Sequence, residues 1–194
     1  MKFTPEQKKR ALAGLGFSNQ TCTKMGDLGE SIVKSRLRGL GFNYNKWEIG
    51  GSHPFDMVLY HVKSRKIAIC DVKTKPRYNN WPVTGVDERL FREYIKYSEQ
   101  MKCKFLLFFV DYKLKKIYYG SIHKLVQPWD SRKIDHSLWG PGRKVGDFPW
   151  FYDTKSGVQV LWHLAQLKVL CNLDVKECAQ LKALDTGTHG RRSI

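Results

Sequence analysis

Two stretches of the chain, Lys66–Lys73 (KIAICDVK) over its residues 67–70 and Lys104–Asp111 (KFLLFFVD), are apolar on both faces of an extended backbone. A strand of that kind must lie inside a sheet that is covered on both sides. The covering elements can be read from the flanking sequence. Lys24–Leu40 has Met25, Leu28, Gly29, Ile32, Val33, Leu37 and Leu40 within one half of a helical wheel, and Gly39 and Gly41 supply a stop. Asp87–Met101 carries Leu90, Phe91, Tyr94, Ile95 and Tyr97 on one side and reads as a second helix. Asn43–Ile49 and Phe55–Val62 are β-prone; Phe55–Val62 joins Lys66–Lys73 through the polar turn Lys63–Arg65 as a hairpin. Ile117–Ile122 follows the last apolar run as a further strand. The order α, β, β, β, α, β, β describes a mixed central sheet flanked by helices, an α/β or α+β fold.

The texture changes after His123. Residues 127–150 are rich in Pro, Gly and Trp, residues 158–171 have helical spacing through Val160, Leu161, Leu164 and Leu170, and Asp174 with Glu177 forms a capping box for a last helix to about Leu184. The expected organisation is a core over 1–122 and a loop-rich and helical extension over 123–194 packed on it. Residues 5–16 suit a short helix.

Charge narrows the class of partner. Lys and Arg number 34 against 18 Asp and Glu, an excess of +16 over 194 residues. The cations come in local sets beside predicted structure, among them Lys34/Arg36/Arg38, Lys73/Lys75/Arg77 and Arg143-Lys144. A polyanion such as nucleic acid would relieve the self-repulsion this creates. No apolar run reaches the roughly 18 residues of a membrane span, and the first residues lack a signal-peptide core, so a cytoplasmic protein without membrane contact is expected. Five cysteines with no CxxC pair argue against a disulfide framework or structural zinc. His163, Cys171 and Cys178 read as ordinary packing.

Asp71 and Lys73 break the pattern of their strand. Alternation puts both on one face, at the end of an otherwise apolar run. Asp56 lies near the start of the neighbouring hairpin strand, where the turn at 63–65 brings it close to Asp71. Adjacent carboxylates repel, raise each other's pKa and invite a hard divalent cation. A lysine beside them can position water or stabilise charge developing on an attacked phosphate.

The arrangement resembles the PD-(D/E)XK nuclease superfamily, with its restriction-endonuclease-like αβββαβ core. The residues carrying the likeness are Gly29-Glu30 in the first helix, Pro54-Phe55-Asp56 at the hairpin and Asp71-Val72-Lys73 on the next strand, within residues 24 to about 120. The helix Gly-Glu and the strand end are most similar to the Holliday-junction-resolvase branch. Two departures stand out: Phe55 separates Pro54 from Asp56, and the strand acid is Asp rather than Glu.

The resemblance implies a Mg²⁺- or Mn²⁺-dependent nuclease acting on DNA in recombination, repair or replication. Asp56, Asp71 and the Val72 carbonyl would ligate the metal, Glu30 would bind a second metal or its water, and Lys73 would serve the nucleophile or the phosphate. Gln100, with Tyr94 and Tyr97, stands loosely where some branches keep a Gln/Tyr motif. Lys34, Arg36, Lys75, Arg77, Tyr78, Arg143 and Lys144 are the candidate nucleic-acid contacts. Trp129, Trp139 and Trp150 suit a packed cover better than base stacking, and His53 an exposed polar role. A junction-cutting member would work as a homodimer. A non-catalytic DNA-binding relative and an RNA-processing nuclease are the competing readings.

Overall fold

The computed structural model describes residues 21–46, 55–75, 83–125, 143–144, 151–154 and 157–185. The predicted helix over 5–16, the motif's Pro54, His53, Arg77, Tyr78 and the three tryptophans above lie outside them. Helix α1 (Thr21–Gly39) leads through Gly41, whose φ of 82° suits glycine, into β1 (Phe42–Lys46). Strands β2 (Met57–His61) and β3 (Lys66–Thr74) form the expected hairpin. Then come β4 (Val83–Asp87), α2 (Glu88–Gln100), β5 (Lys104–Asp111), β6 (Lys116–Ser121) and the short α3 (Ile122–Leu125). The remainder comprises β7 (Arg143–Lys144), β8 (Phe151–Thr154), β9 (Gly157–His163), a 3₁₀ turn at Leu164–Gln166, β10 (Lys168–Asn172) and α4 (Val175–Ala183).

Six strands form the main sheet in the order β1-β2-β3-β5-β6-β10, with β3 and β5 parallel and every other neighbour antiparallel. The two runs apolar on both faces are therefore adjacent and central. On one face Met25, Ile32, Val33 and Leu37 of α1, with Cys178 and Leu181 of α4, pack on Met57, Leu59, Cys70, Val72, Phe108 and Val110. On the other, Phe91 and Tyr94 of α2 meet Phe55, Ile69, Phe105, Leu107 and Phe109. Burying each large apolar side chain contributes about 1.5–3 kcal/mol, so both layers are needed to hold β3 and β5 inside. Leu40, expected on the apolar side of α1, is 54% exposed because the helix has ended before it.

The second sheet, β4-β9-β8-β7, corrects the reading of 158–171 as helical. Val160, Leu161 and Trp162 are consecutive and all buried, a pattern that a helix and a central strand share, and pairing with β4 decides for the strand. Trp162 is fully buried, its ring centroid 5.5 Å from that of Phe91 and 6.1 Å from that of Phe109. Strand β4 left no clear signal because Gly85 occupies its middle. A Cβ there would lie 2.2 Å from the Val160 carbonyl oxygen, so the close approach of β9 demands glycine. Beyond it, β10 adds to the edge of the main sheet, and the Asp174/Glu177 capping box starts α4 as expected. No described helix is long and apolar enough to cross a membrane.

Candidate active site

The hairpin register carries Asp56 to the middle of the neighbouring strand. Its N–H donates to the Cys70 carbonyl at 2.9 Å, and its Oδ2 accepts from the Val72 N–H at 2.6 Å. The β2–β3 ladder stops at the Met57–Cys70 pair, so this carboxylate takes over where β2 leaves the edge of β3. A strand residue turns its N–H and C=O to the same side. The Val72 carbonyl therefore faces that same edge.

Asp71 points to the opposite side of β3 from Cys70 and Val72, toward α2, and is 4% exposed. Its Oδ2 accepts from the Lys73 Nζ at 2.8 Å and from the Tyr94 hydroxyl at 2.9 Å. Burial of a carboxylate is tolerated here because two donors meet it, one of them charged. Lys73 shares the face by strand alternation and keeps its side chain 30% exposed, so its ammonium also borders the open side.

Glu30 arrives from α1 because of its neighbour. Gly29 is buried against the end of β3, where an added Cβ would lie 1.7 Å from Thr74 Oγ1. Only a glycine lets the helix settle this low and bring Glu30 toward the strand ends. Gly29→Ala should therefore lower stability by about 1–3 kcal/mol through overpacking, and weaken any role of Glu30 by lifting the helix. Thermal melts beside those of Gly26→Ala, where a Cβ meets nothing within 4 Å, would check this; equal melts would show that the contact is slack. The Glu30 carboxylate itself is 3.1 Å from the Lys34 Nζ.

The three acids act on one another. The Asp56 pKa is pushed up to about 7, first by burial, then by the charges of Asp71 and Glu30, against the Val72 N–H and Lys73, which favour the anion. The thiol of Cys70 beneath them is pushed well up by burial and by the same three carboxylates. Tyr94 is raised by burial and by Asp71, which keeps its hydroxyl a donor. Beside them the Thr74 hydroxyl is buried and has no hydrogen-bond partner among the described residues. A hard divalent cation fits this set. Among the described residues no three His, Cys, Asp or Glu side chains close into a metal cage. Two carboxylates and an edge carbonyl instead leave room for water and phosphate oxygens, the habit of Mg²⁺.

Not every predicted contact faces the site. Arg36 is corrected: its Nη2 lies 2.8 Å from both carboxylate oxygens of Glu177, tying α1 to α4. Lys75 is corrected too, since its Nζ donates to the Gly85 carbonyl in the second sheet. Its pKa is lowered to about 8, chiefly by burial and then by Lys73. Gln100 is exposed in the last turn of α2, so Tyr94 is the residue of that helix at the site. Tyr97 packs edge-on against Phe55 at 5.9 Å. Arg143 and Lys144 form β7, whose side chains are not described. The signal for Tyr94 was its hydroxyl on a stripe otherwise expected to be buried: a buried phenol needs an acceptor.

The core keeps the restriction-endonuclease-like order of elements, with β4 inserted before the second helix. No protein-family profile matches the chain, and no curated protein matches it. Among solved structures it is similar to Hjc, a Holliday junction resolvase of Archaeoglobus fulgidus, at 13% identity and a TM-score of 0.42, over 59% of this chain and 91% of that one. It is also similar to a nuclease from a fusselovirus, at 13% identity and a TM-score of 0.40, over 84% and 90%.

Proposed function

We propose that the protein is a metal-dependent nuclease that hydrolyses phosphodiester bonds in DNA as an endonuclease. One observation carries the reading: at the end of a buried central strand, Asp56 is held near pKa 7 by burial and by two further acids, next to the Asp71–Lys73 pair. Structural ion pairs do not need a carboxylate in so unfavourable a state, whereas a site for a cation and a phosphate does.

In this reading Asp56, Asp71 and the Val72 carbonyl would hold Mg²⁺ or Mn²⁺, and Glu30 would take a second cation or its water. When bound, the cation would polarise the phosphate and make water a stronger nucleophile at neutral pH. Tyr94 orients the Asp71 carboxylate through its hydrogen bond. The Lys73 ammonium, fixed by Asp71 but open to solvent, places the attacking water or meets the charge that grows on the phosphate oxygens. Gly29 and Thr74 set the depth at which Glu30 approaches.

A panel of linear, nicked, flapped, four-way and single-stranded DNA, together with RNA, tests the proposal. Cleavage of at least one DNA substrate is expected with Mg²⁺ or Mn²⁺, and its loss with excess chelator. Undiminished cutting in chelator would refute the metal mechanism, and cutting of RNA alone would move the substrate class.

A further inference from the structure

The face of α1 that points away from the core forms a groove with β1. It is about 370 Å³ in volume and lined by Asp27, Ser31, Lys34, Ser35, Arg38 and Tyr44. The helical residues follow at successive turns, so they make one stripe along the helix. The stripe meets the candidate active site at Lys34, the residue that pairs with Glu30. From there it runs to Arg38, whose guanidinium carbon lies 4.8 Å from the centroid of the Tyr44 ring. The Lys34 Nζ lies 5.6 Å from the same centroid.

We infer that this groove binds the sugar–phosphate backbone of the nucleic-acid strand beside the cleaved bond. The inference rests on the nuclease reading for its ligand and adds the path that the strand takes. Tyr44 restrains two long cationic side chains that would otherwise be mobile, which lowers the entropy lost when they meet a ligand. Arg38 is exposed and forms no ion pair among the described residues, so its N–H groups remain available for a phosphate. Ser35 adds a hydroxyl donor between the two cations, and Ser31 another one turn before Lys34. Asp27 lies two turns from Lys34, at the end remote from Arg38, and limits the cationic segment to Lys34–Arg38. Among the described residues the lining is polar, charged or aromatic, a surface suited to a phosphate backbone rather than to a bilayer or an apolar peptide.

The test uses the full chain with Ca²⁺ in place of Mg²⁺ and a fluorescent DNA that the wild type cleaves, or a four-way DNA if none is cleaved. Arg38→Ala should weaken binding about tenfold or more, as expected for a lost charged hydrogen bond, and reduce the salt slope by about one. Tyr44→Leu, which keeps both cations but frees them, should weaken binding less and leave the slope unchanged. Lys66→Ala, an exposed cation in the hairpin at the far end of β3, is the control for general charge. Unchanged affinity and slope in Arg38→Ala, or an equal loss in Lys66→Ala, would overturn the groove while wild-type cleavage still upheld the nuclease. Competition by polyglutamate as strong as by DNA would overturn it too, by showing a taste for any polyanion. A weaker Arg38→Ala beside a wild type that cuts nothing with any metal would uphold the groove and refute the nuclease.

Discussion

Lys73→Ala should slow cleavage by about 100-fold or more at saturating substrate, because a donor aimed at developing charge has no substitute in water. DNA affinity should change little, since Lys73 is one of 34 basic residues. The structure adds a second readout. Lys73 is among the groups that favour the Asp56 anion, so its removal should raise the Asp56 pKa further. Single-turnover rates and DNA titrations separate the roles. A preserved rate with collapsed binding would make Lys73 a docking residue and remove it from the chemistry.

Asp56→Asn should abolish cleavage and yet raise the melting temperature of the metal-free protein at pH 8 by several degrees. The Asp56 carboxyl goes from an ordinary 3.8 when unfolded to about 7 when folded. The folded state thus holds the proton more tightly. Its contribution to stability is complete below about pH 4 and is lost as pH rises through 7. The loss is on the order of 2–4 kcal/mol, and Asn, which stays neutral and still accepts from the Val72 N–H, avoids it. Melts in chelator between pH 4.5 and 8.5 should slope downward for the wild type and be flatter for the variant. Divalent metal should reverse the order, adding about 2.7 kcal/mol to the wild type at a hundredfold excess over its Kd and far less to Asp56→Asn. A wild type that gains stability toward pH 8 in chelator would show Asp56 to be an ordinary paired carboxylate.

Local rules carried much of the layout. Alternation along β3 has a period of two that nothing overrides, so Asp71 and Lys73 had to share a face. The tight hairpin then brought Asp56 beside Cys70 and Val72. What stayed hidden depends on contacts between distant segments. Arg36 looked misplaced on an apolar helix side, and its partner Glu177 lies 141 residues away. Lys75 belongs to a basic cluster in sequence, but in space it faces the carbonyl of Gly85. Val160–Trp162 fits a helix or a strand until β4 is known to lie beside it, and β4 is disguised by a glycine that only β9 explains.

The pairing of β6 with β10, and of β4 with β9, sets the order in which the chain can be completed. As it leaves the ribosome, β6 must wait a few seconds for β10 while some fifty further residues are made. Throughout that interval its outer edge, bearing Tyr118 and Tyr119, offers unpaired backbone to any neighbouring strand. Strand β4 waits longer still for its partner. A nascent or truncated chain ending after Leu125 would thus hold every acid of the candidate site and yet tend to aggregate, so that the C-terminal third acts as an internal guard on newly made protein.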